Sequence, residues 1–279
     1  MSCCLCHDET APVLVFRAHG SSLVRCRRCG LVRVLPMPAP EAALALYDAA
    51  YFEDARHGYV DYLADEPVFR AEFRRRLRVV QAAGGHGMLL DVGCASGALL
   101  REAERAGFTA SGIEPSAEMA ELAAARTGCP VRAGSIEAAL VAAARYDVIT
   151  LFDVLEHLVD PVPVLRKLQL GLMPGGLLAV TVPDFGGLWA RVSGPRWPFV
   201  TPWEHLLYFT RRTLRAALCT AGFQDVHFAH AHTPLSFGTL ASKVPLLGAV
   251  LPSALRHRGF GLPMGTLYAL ARSAPLERR

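Results

Sequence analysis

From residue 87 onward, short unbroken apolar runs alternate with longer stretches in which apolar positions recur every three or four residues. The runs at 87–92, 109–113, 130–133, 146–152 and 176–182 are too short for helices and lack polar alternation, so they predict strands covered on both faces. Between them, 96–106, 116–126, 136–144 and 161–171 carry helical periodicity. Thr210 reads as the N-cap of a further helix ending at Gly222, followed by a strand over 223–229 and a last strand over 264–273. Such alternation predicts an α/β fold, a parallel sheet with helices on both faces.

Upstream the pattern changes. Leu35-Pro-Met-Pro-Ala-Pro40 breaks regular structure and leads into an Ala/Leu-rich helical stretch over 41–47 that ends near Tyr51-Phe52. A second helix, about 67–83, places Phe69, Phe73, Leu77 and Val80 on one stripe, predicted to pack on the main sheet. Arg70, Arg74, Arg75, Arg76 and Arg78 surround that stripe. They invite a nucleic-acid reading, but the ribbon upstream lacks interleaved aromatics and the net charge is only +4, so a solvated helix face is the expectation and no nucleic-acid partner is.

The most informative local feature is Leu-Leu-Asp-Val-Gly-Cys-Ala-Ser-Gly at 89–97, a buried strand running into a glycine-punctuated turn and a helix. Gly93 and Gly97 permit close approach of a ligand to the chain, where the helix start exposes unpaired amides. Glu114, 21 residues beyond Gly93 and at the end of the next strand, is spaced to accept hydrogen bonds from ribose hydroxyls. A dinucleotide site would require G-x-G-x-x-G, and Cys94-Ala95 removes the glycine that meets a pyrophosphate.

With Asp91 preceding it, this turn resembles the first motif of the class I S-adenosylmethionine-dependent methyltransferases, D/E-x-G-x-G-x-G, with Ala95 replacing the middle glycine. The resemblance continues through Val131–Ile136, Tyr146–Leu158 and Leu172–Pro183. It implies a seven-stranded doubly wound, mostly parallel Rossmann-like sheet, whose last strand pairs antiparallel between the fifth and sixth. It further implies S-adenosylmethionine as methyl donor, held by Asp91, Gly93, Cys94, Gly97, Glu114, Ser135, Ile136 and Asp153.

Cys3-x-x-Cys6 and Cys26-x-x-Cys29, nineteen residues apart, each set two thiolates on one side of a tight turn and together predict a four-cysteine structural zinc site. Cys4 is left over, and Cys94, Cys129 and Cys219 read as small core residues. The organisation expected is therefore a zinc ribbon over 1–36, a helical linker over 37–86, and a methyltransferase domain over 87–279 with a lid-like insertion at about 230–263.

Hydrophobic residues make up 52% of the 279, ample for a buried core. Only Lys167 and Lys243 among the 29 basic residues are lysines, which reflects genome composition rather than a phosphate-binding surface. No secretion signal is evident, so a cytoplasmic protein is expected. The apolar stretch 234–255 is interrupted by Lys243, Pro245 and Pro252, which favours an interfacial or substrate-covering role, with peripheral membrane contact as an alternative, over a spanning helix.

Methyl transfer to a hydroxyl or an acidic C–H needs a base, and His157 and His205 follow the fourth and fifth strands. Glu204-His205-x-x-Tyr208-Phe209 resembles a stretch of zinc-ribbon sugar C-methyltransferases, which implies His205, Glu204 and Tyr208 facing a sugar or other polar metabolite. Glu156-His157 resembles quinone-type O-methyltransferases, which implies a lipophilic acceptor instead. A non-catalytic zinc-ribbon scaffold is the reading of another class. The aromatics Phe185, Trp189, Trp197, Phe199 and Trp203 are expected to line the acceptor pocket. Nothing in the pattern implies a protein partner.

Overall fold

The computed structural model describes residues 2–47, 63, 65–236, 259–262 and 265–274. Three strands near the N-terminus, β1 (Val13–Ala18), β2 (Ser21–Arg25) and β3 (Val32–Leu35), form an antiparallel ribbon closed by the cysteine turns. Helix α1 (Pro40–Leu44) is shorter than expected, and Tyr51-Phe52 lie outside the described residues. Helix α2 (Glu66–Ala82) follows and buries Leu77 and Val80 against the main sheet, contributing about 2 kcal/mol for each side chain.

The main domain then alternates as expected: β4 (Met88–Val92), α3 (Ala98–Arg105), β5 (Thr109–Glu114), α4 (Ala117–Thr127), β6 (Val131–Ala133), β7 (Tyr146–Phe152), α5 (Pro161–Gly171) and β8 (Leu172–Pro183). After a short helix α6 (Leu188–Ser193) and a two-residue strand β9 (Leu207–Tyr208) come α7 (Arg211–Thr220), β10 (Gln224–Ala229), a hairpin of β11 (Thr233–Ser236) with β12 (Gly259–Leu262), and β13 (Thr266–Arg272). Thr210 does cap α7, accepting from the Thr213 N–H.

Seven strands form one sheet in the order β10-β13-β8-β7-β4-β5-β6, parallel except for β13, which runs antiparallel to both neighbours. Alternate residues of each strand enter two separate cores. Leu90, Ile149 and Val180 pack with Leu165 of α5 and Leu214 of α7, whereas Leu89, Val148 and Ala179 pack with Leu77 of α2 and Leu100 of α3. A strand whose every residue is buried reads as the continuous apolar run seen in the sequence.

Two local expectations change. Residues 136–144 form no helix: Lys167 donates from its ammonium to the carbonyls of Ile136, Glu137 and Ala139, at 2.9, 2.7 and 3.1 Å, drawing off acceptors that helical amides would use. The strand expected over 176–182 begins earlier, at Leu172, with Met173–Gly176 looped out where pairing jumps from Tyr146↔Leu172 to Val148↔Leu177.

The ribbon does not stand apart. β3 pairs antiparallel with β9, with Val32 opposite Tyr208 and Arg33 opposite Leu207, so a strand from after β8 completes the ribbon sheet. Lys243, Pro245, Pro252 and most of the insertion lie outside the described residues, its ends appearing as the β11–β12 hairpin. No helix among the described residues is long and apolar enough to cross a membrane.

Candidate active site

At the carboxyl edge of β4 the chain turns through Gly93 and Gly97, whose φ angles are +76° and +79°. Both positions exclude a side chain: a Cβ on Gly93 would stand 2.6 Å from Val154 Cγ2, and one on Gly97 2.8 Å from Thr127 Cγ2. Ala95 between them also has positive φ, +43°, and its N–H donates to Glu114 Oε2 at 2.8 Å. Ser116 N–H donates to Oε1 of the same carboxylate at 3.0 Å, so β5 is tied to the turn through Glu114. A carboxylate offers about four lone-pair sites, so each oxygen keeps one for a ligand. Burial pushes the Glu114 carboxyl above its usual range, and the two N–H bonds oppose that.

Asp91 is buried at the end of β4, with Oδ1 accepting from Thr150 Oγ1 at 2.6 Å. Burial pushes its pKa up to about 7 against that hydrogen bond. The Ser96 hydroxyl is buried within the turn with no partner among the described residues. Asp91, Gly93, Ala95 and Glu114 line a cavity of about 490 Å³, a volume typical of a small-molecule site.

Along the same cavity the chain leaves β7 through Asp153, whose φ is +57°, into a 3-10 turn at Leu155–His157. Asp153 accepts from Thr181 Oγ1 at 3.1 Å and from the Arg76 guanidinium at 3.3 Å. Arg76 is itself buried, bonded to Thr181 and Glu72 and stacked over the Phe152 ring. His157 donates from Nδ1 to the Glu204 carbonyl at 2.9 Å, and His205 from Nδ1 to the Phe199 carbonyl at 2.9 Å; their ring centroids are 4.9 Å apart. Glu156 is 1% exposed, and neither carboxylate oxygen has a hydrogen-bond partner among the described residues. Burial, then the charge of Asp153, raises its carboxyl well above the usual range.

In the ribbon, the Cys3 and Cys29 sulfurs lie 3.6 Å apart and those of Cys6 and Cys26 3.5 Å apart, with all four ligand atoms within 4.8 Å of one another. A zinc ion about 2.3 Å from each sulfur sets tetrahedral S···S separations near 3.8 Å, so the four thiols fit one ion with no open position. Cys4 stands outside this group.

A family model described as "Methyltransferase domain" matches residues 64–228. The chain belongs to that family. The ubiquinone biosynthesis O-methyltransferase of Methylobacterium nodulans is 37% identical over 94 residues, which is 32% of this chain and 38% of the relative. Among the first curated relatives the matched span is between 38% and 58% of their length. An S-adenosylmethionine-dependent methyltransferase from Thermotoga maritima superposes with a TM-score of 0.51 at 19% identity, covering 74% of this chain and 91% of that one. The phosphoethanolamine N-methyltransferase 2 of Haemonchus contortus, solved in complex with S-adenosyl-L-methionine, gives 0.52 at 14% identity over 75% of this chain and 57% of that one. At such identities these structures establish the fold, that of S-adenosylmethionine-dependent methyltransferases.

Within this methyltransferase domain, the candidate residues divide by place. Asp91, Gly93, Cys94 and Glu114 line the cavity, as do Ser135, Ile136, Asp153 and His157. Gly97 does not; it makes room for α4 beside the start of α3. His205 and Glu204 stand behind the lining. Tyr208 is in the aromatic core, its ring 5.3 Å from Phe185. Trp197, Phe185 and Phe199 also pack there, and none of the five aromatics expected to wall the pocket lines the cavity. Sequence reasoning passed over Arg76, hidden in a run of arginines, and Thr150, hidden in a buried strand.

Proposed function

We propose that this domain transfers the methyl group of S-adenosylmethionine to a hydroxyl oxygen of a lipophilic, quinone-like acceptor, and that its N-terminal ribbon holds a structural zinc ion. The observation that carries this reading is that one cavity joins Glu114 and Asp91 at the carboxyl edge of β4 and β5 to His157 beyond β7. When bound, S-adenosylmethionine supplies an electrophilic methyl on a sulfonium. Glu114, anchored by two main-chain N–H groups, presents its remaining lone pairs to ribose hydroxyls. Asp91 offers negative charge to the ammonium of the amino-acid end, and Ile136 and Ser135 border the adenine. The proton released by the acceptor hydroxyl passes to Nε2 of His157, the basic nitrogen of a ring whose Nδ1–H donates to the Glu204 carbonyl.

The acceptor class rests on two supports. The curated relatives are named for ubiquinone biosynthesis, and apolar Leu44, Phe69, Leu158 and Val159 line the cavity that His157 also lines. Exposed Leu188, Trp189 and Val192 on α6 suit approach to a membrane-dissolved acceptor. The polar-metabolite reading has only the Glu-His-x-x-Tyr-Phe resemblance behind it, and Tyr208 is buried away from the cavity.

The test incubates full-length protein and methyl-labelled S-adenosylmethionine with a prenylated catechol or with nucleotide sugars. Label in the catechol ether alone is expected; label in a sugar alone overturns the acceptor class, and label in neither counts against turnover of these classes.

A further inference from the structure

We infer that the groove between α7 and β10 binds a small polyphosphate anion, of the pyrophosphate or nucleoside diphosphate class, at a site separate from the cavity at the carboxyl edge of the main sheet. Arg211, Arg212 and Arg215 line the groove with Ala216 and Cys219 of the same helix and Phe228 of β10. Its volume is about 550 Å³, and it shares no lining residue with the cavity that joins Glu114 to His157.

The helix fixes this face by its own pattern. Thr213, Leu214, Ala217 and Leu218 are buried, so positions 211, 212, 215, 216 and 219, spaced three or four residues apart, share the outer side. Arg211 and Arg215 hold their guanidinium carbons 5.2 and 5.4 Å from the centroid of one ring, that of Phe228. Phe228 is itself held by β-pairing with Ala269 of β13. Guanidiniums resting on a fixed aromatic ring have less side-chain freedom to lose when they take a ligand.

The charge is not neutralised within the protein. Among the described residues none of these three arginines forms an ion pair, whereas Arg70, Arg75, Arg76, Arg101, Arg105 and Arg126 all do. Asp184, whose carboxyl is raised by burial and lowered by the Gly186 N–H and then by Arg211, stands outside the groove. Three guanidiniums on one face repel one another, and Arg211 and Arg212 lie in a first turn that holds no acidic residue, where the helix dipole disfavours cations. A bound anion removes both costs. Arginine is the common cation of this chain, so its number carries nothing; its placement does, because each planar fork takes two oxygens of a phosphoryl group. A single phosphoryl group has too few oxygens for three forks, and a diphosphate has enough.

The experiment titrates full-length, zinc-loaded protein with sodium pyrophosphate in a calorimeter, with and without S-adenosylhomocysteine. One equivalent is expected in both cases, so failure of the methyl-transfer reading leaves this result untouched. Arg211→Gln and Arg215→Gln, at exposed positions that keep folding out of the readout, should each weaken binding by about tenfold or more. Arg78→Gln, an equal loss of charge on exposed α2 surface, should leave it unchanged. The exposed Cys219 thiol reports the place: its alkylation, followed by peptide mass spectrometry, should slow by about threefold or more in saturating pyrophosphate. No heat from the wild type, displacement by S-adenosylhomocysteine, undiminished affinity in both groove variants, an equal loss in Arg78→Gln or unprotected Cys219 overturns the site. Binding of an oligonucleotide without binding of pyrophosphate overturns the small-anion assignment.

Discussion

Glu114 and Glu156 are both buried carboxylates, the first lining the cavity and the second next to His157, which lines it, yet Glu114 accepts two main-chain N–H groups while Glu156 meets no donor among the described residues. The first belongs to a cradle whose polar groups are largely satisfied before a ligand arrives. The second stands with His157 and His205, and burial and the charge of Asp153 hold its carboxyl toward the neutral form. A nucleoside donor can be met by a preformed surface. An acceptor must be positioned, deprotonated and released, which calls for a titratable group such as His157 at its end of the cavity.

Four perturbations break or sharpen that contrast, the strongest first. Glu114→Ala removes the ribose acceptor and strands two amides, so S-adenosylmethionine affinity should fall about a hundredfold by isothermal titration, on the order of 3 kcal/mol, while the fold around Glu156 and His157 persists. Unchanged nucleoside affinity would erase the distinction between the two ends.

Gly97→Ala combines a positive φ of +79° with a contact of 2.8 Å against Thr127, and should lower stability by about 2 kcal/mol in chemical denaturation. An alanine there without cost would mean that the turn relaxes freely. A third perturbation removes the ribbon ion by chelation. Because β3 pairs with β9 directly after His205, methyl transfer should drop by about tenfold whereas S-adenosylmethionine affinity should stay within about twofold. Equal losses at both ends would mean that the ribbon supports the whole fold.

The smallest effect is in pH. Asp91 must be ionised to attract the ammonium, and its pKa stands at about 7, so nucleoside affinity should fall by about fourfold from about pH 8 to about pH 6.5, a dependence that Asp91→Asn removes. Stability moves the other way. A carboxyl raised above its unfolded value favours the protonated fold, so the cost of burying Asp91 is absent at acid pH and grows as pH rises from the ordinary carboxylate range through about 7.

The same contrast explains what could be read from the residues alone. Strand, turn and distant carboxylate follow from local rules: period, glycine conformations and the length of one strand-helix-strand unit fix Asp91, Gly93 and Glu114 relative to one another. The His157 side is assembled from separated pieces. β9 is two residues long, too short to register as a strand, yet it joins the ribbon to the main domain. Arg76 reads as one more solvated arginine until Glu72, Asp153 and Thr181 are seen around it. Arg70 and Arg74 likewise serve Glu102 of α3 rather than a phosphate. Residues 136–144 have helical composition, yet their carbonyls at 136, 137 and 139 are taken by the distant Lys167, a partner that no local pattern announces. Trp197 sits in a Gly/Pro-rich loop that suggested a pocket wall, but its loop folds back and buries it with Phe185 and Phe199.

A crystal structure of the full chain with S-adenosylhomocysteine tests the central claim most directly. The account predicts ribose hydroxyls within hydrogen-bond distance of Glu114, the amino-acid end near Asp91, and the sulfur directed toward His157. An empty cavity, or the nucleoside bound away from the turn at Gly93–Gly97, would contradict it.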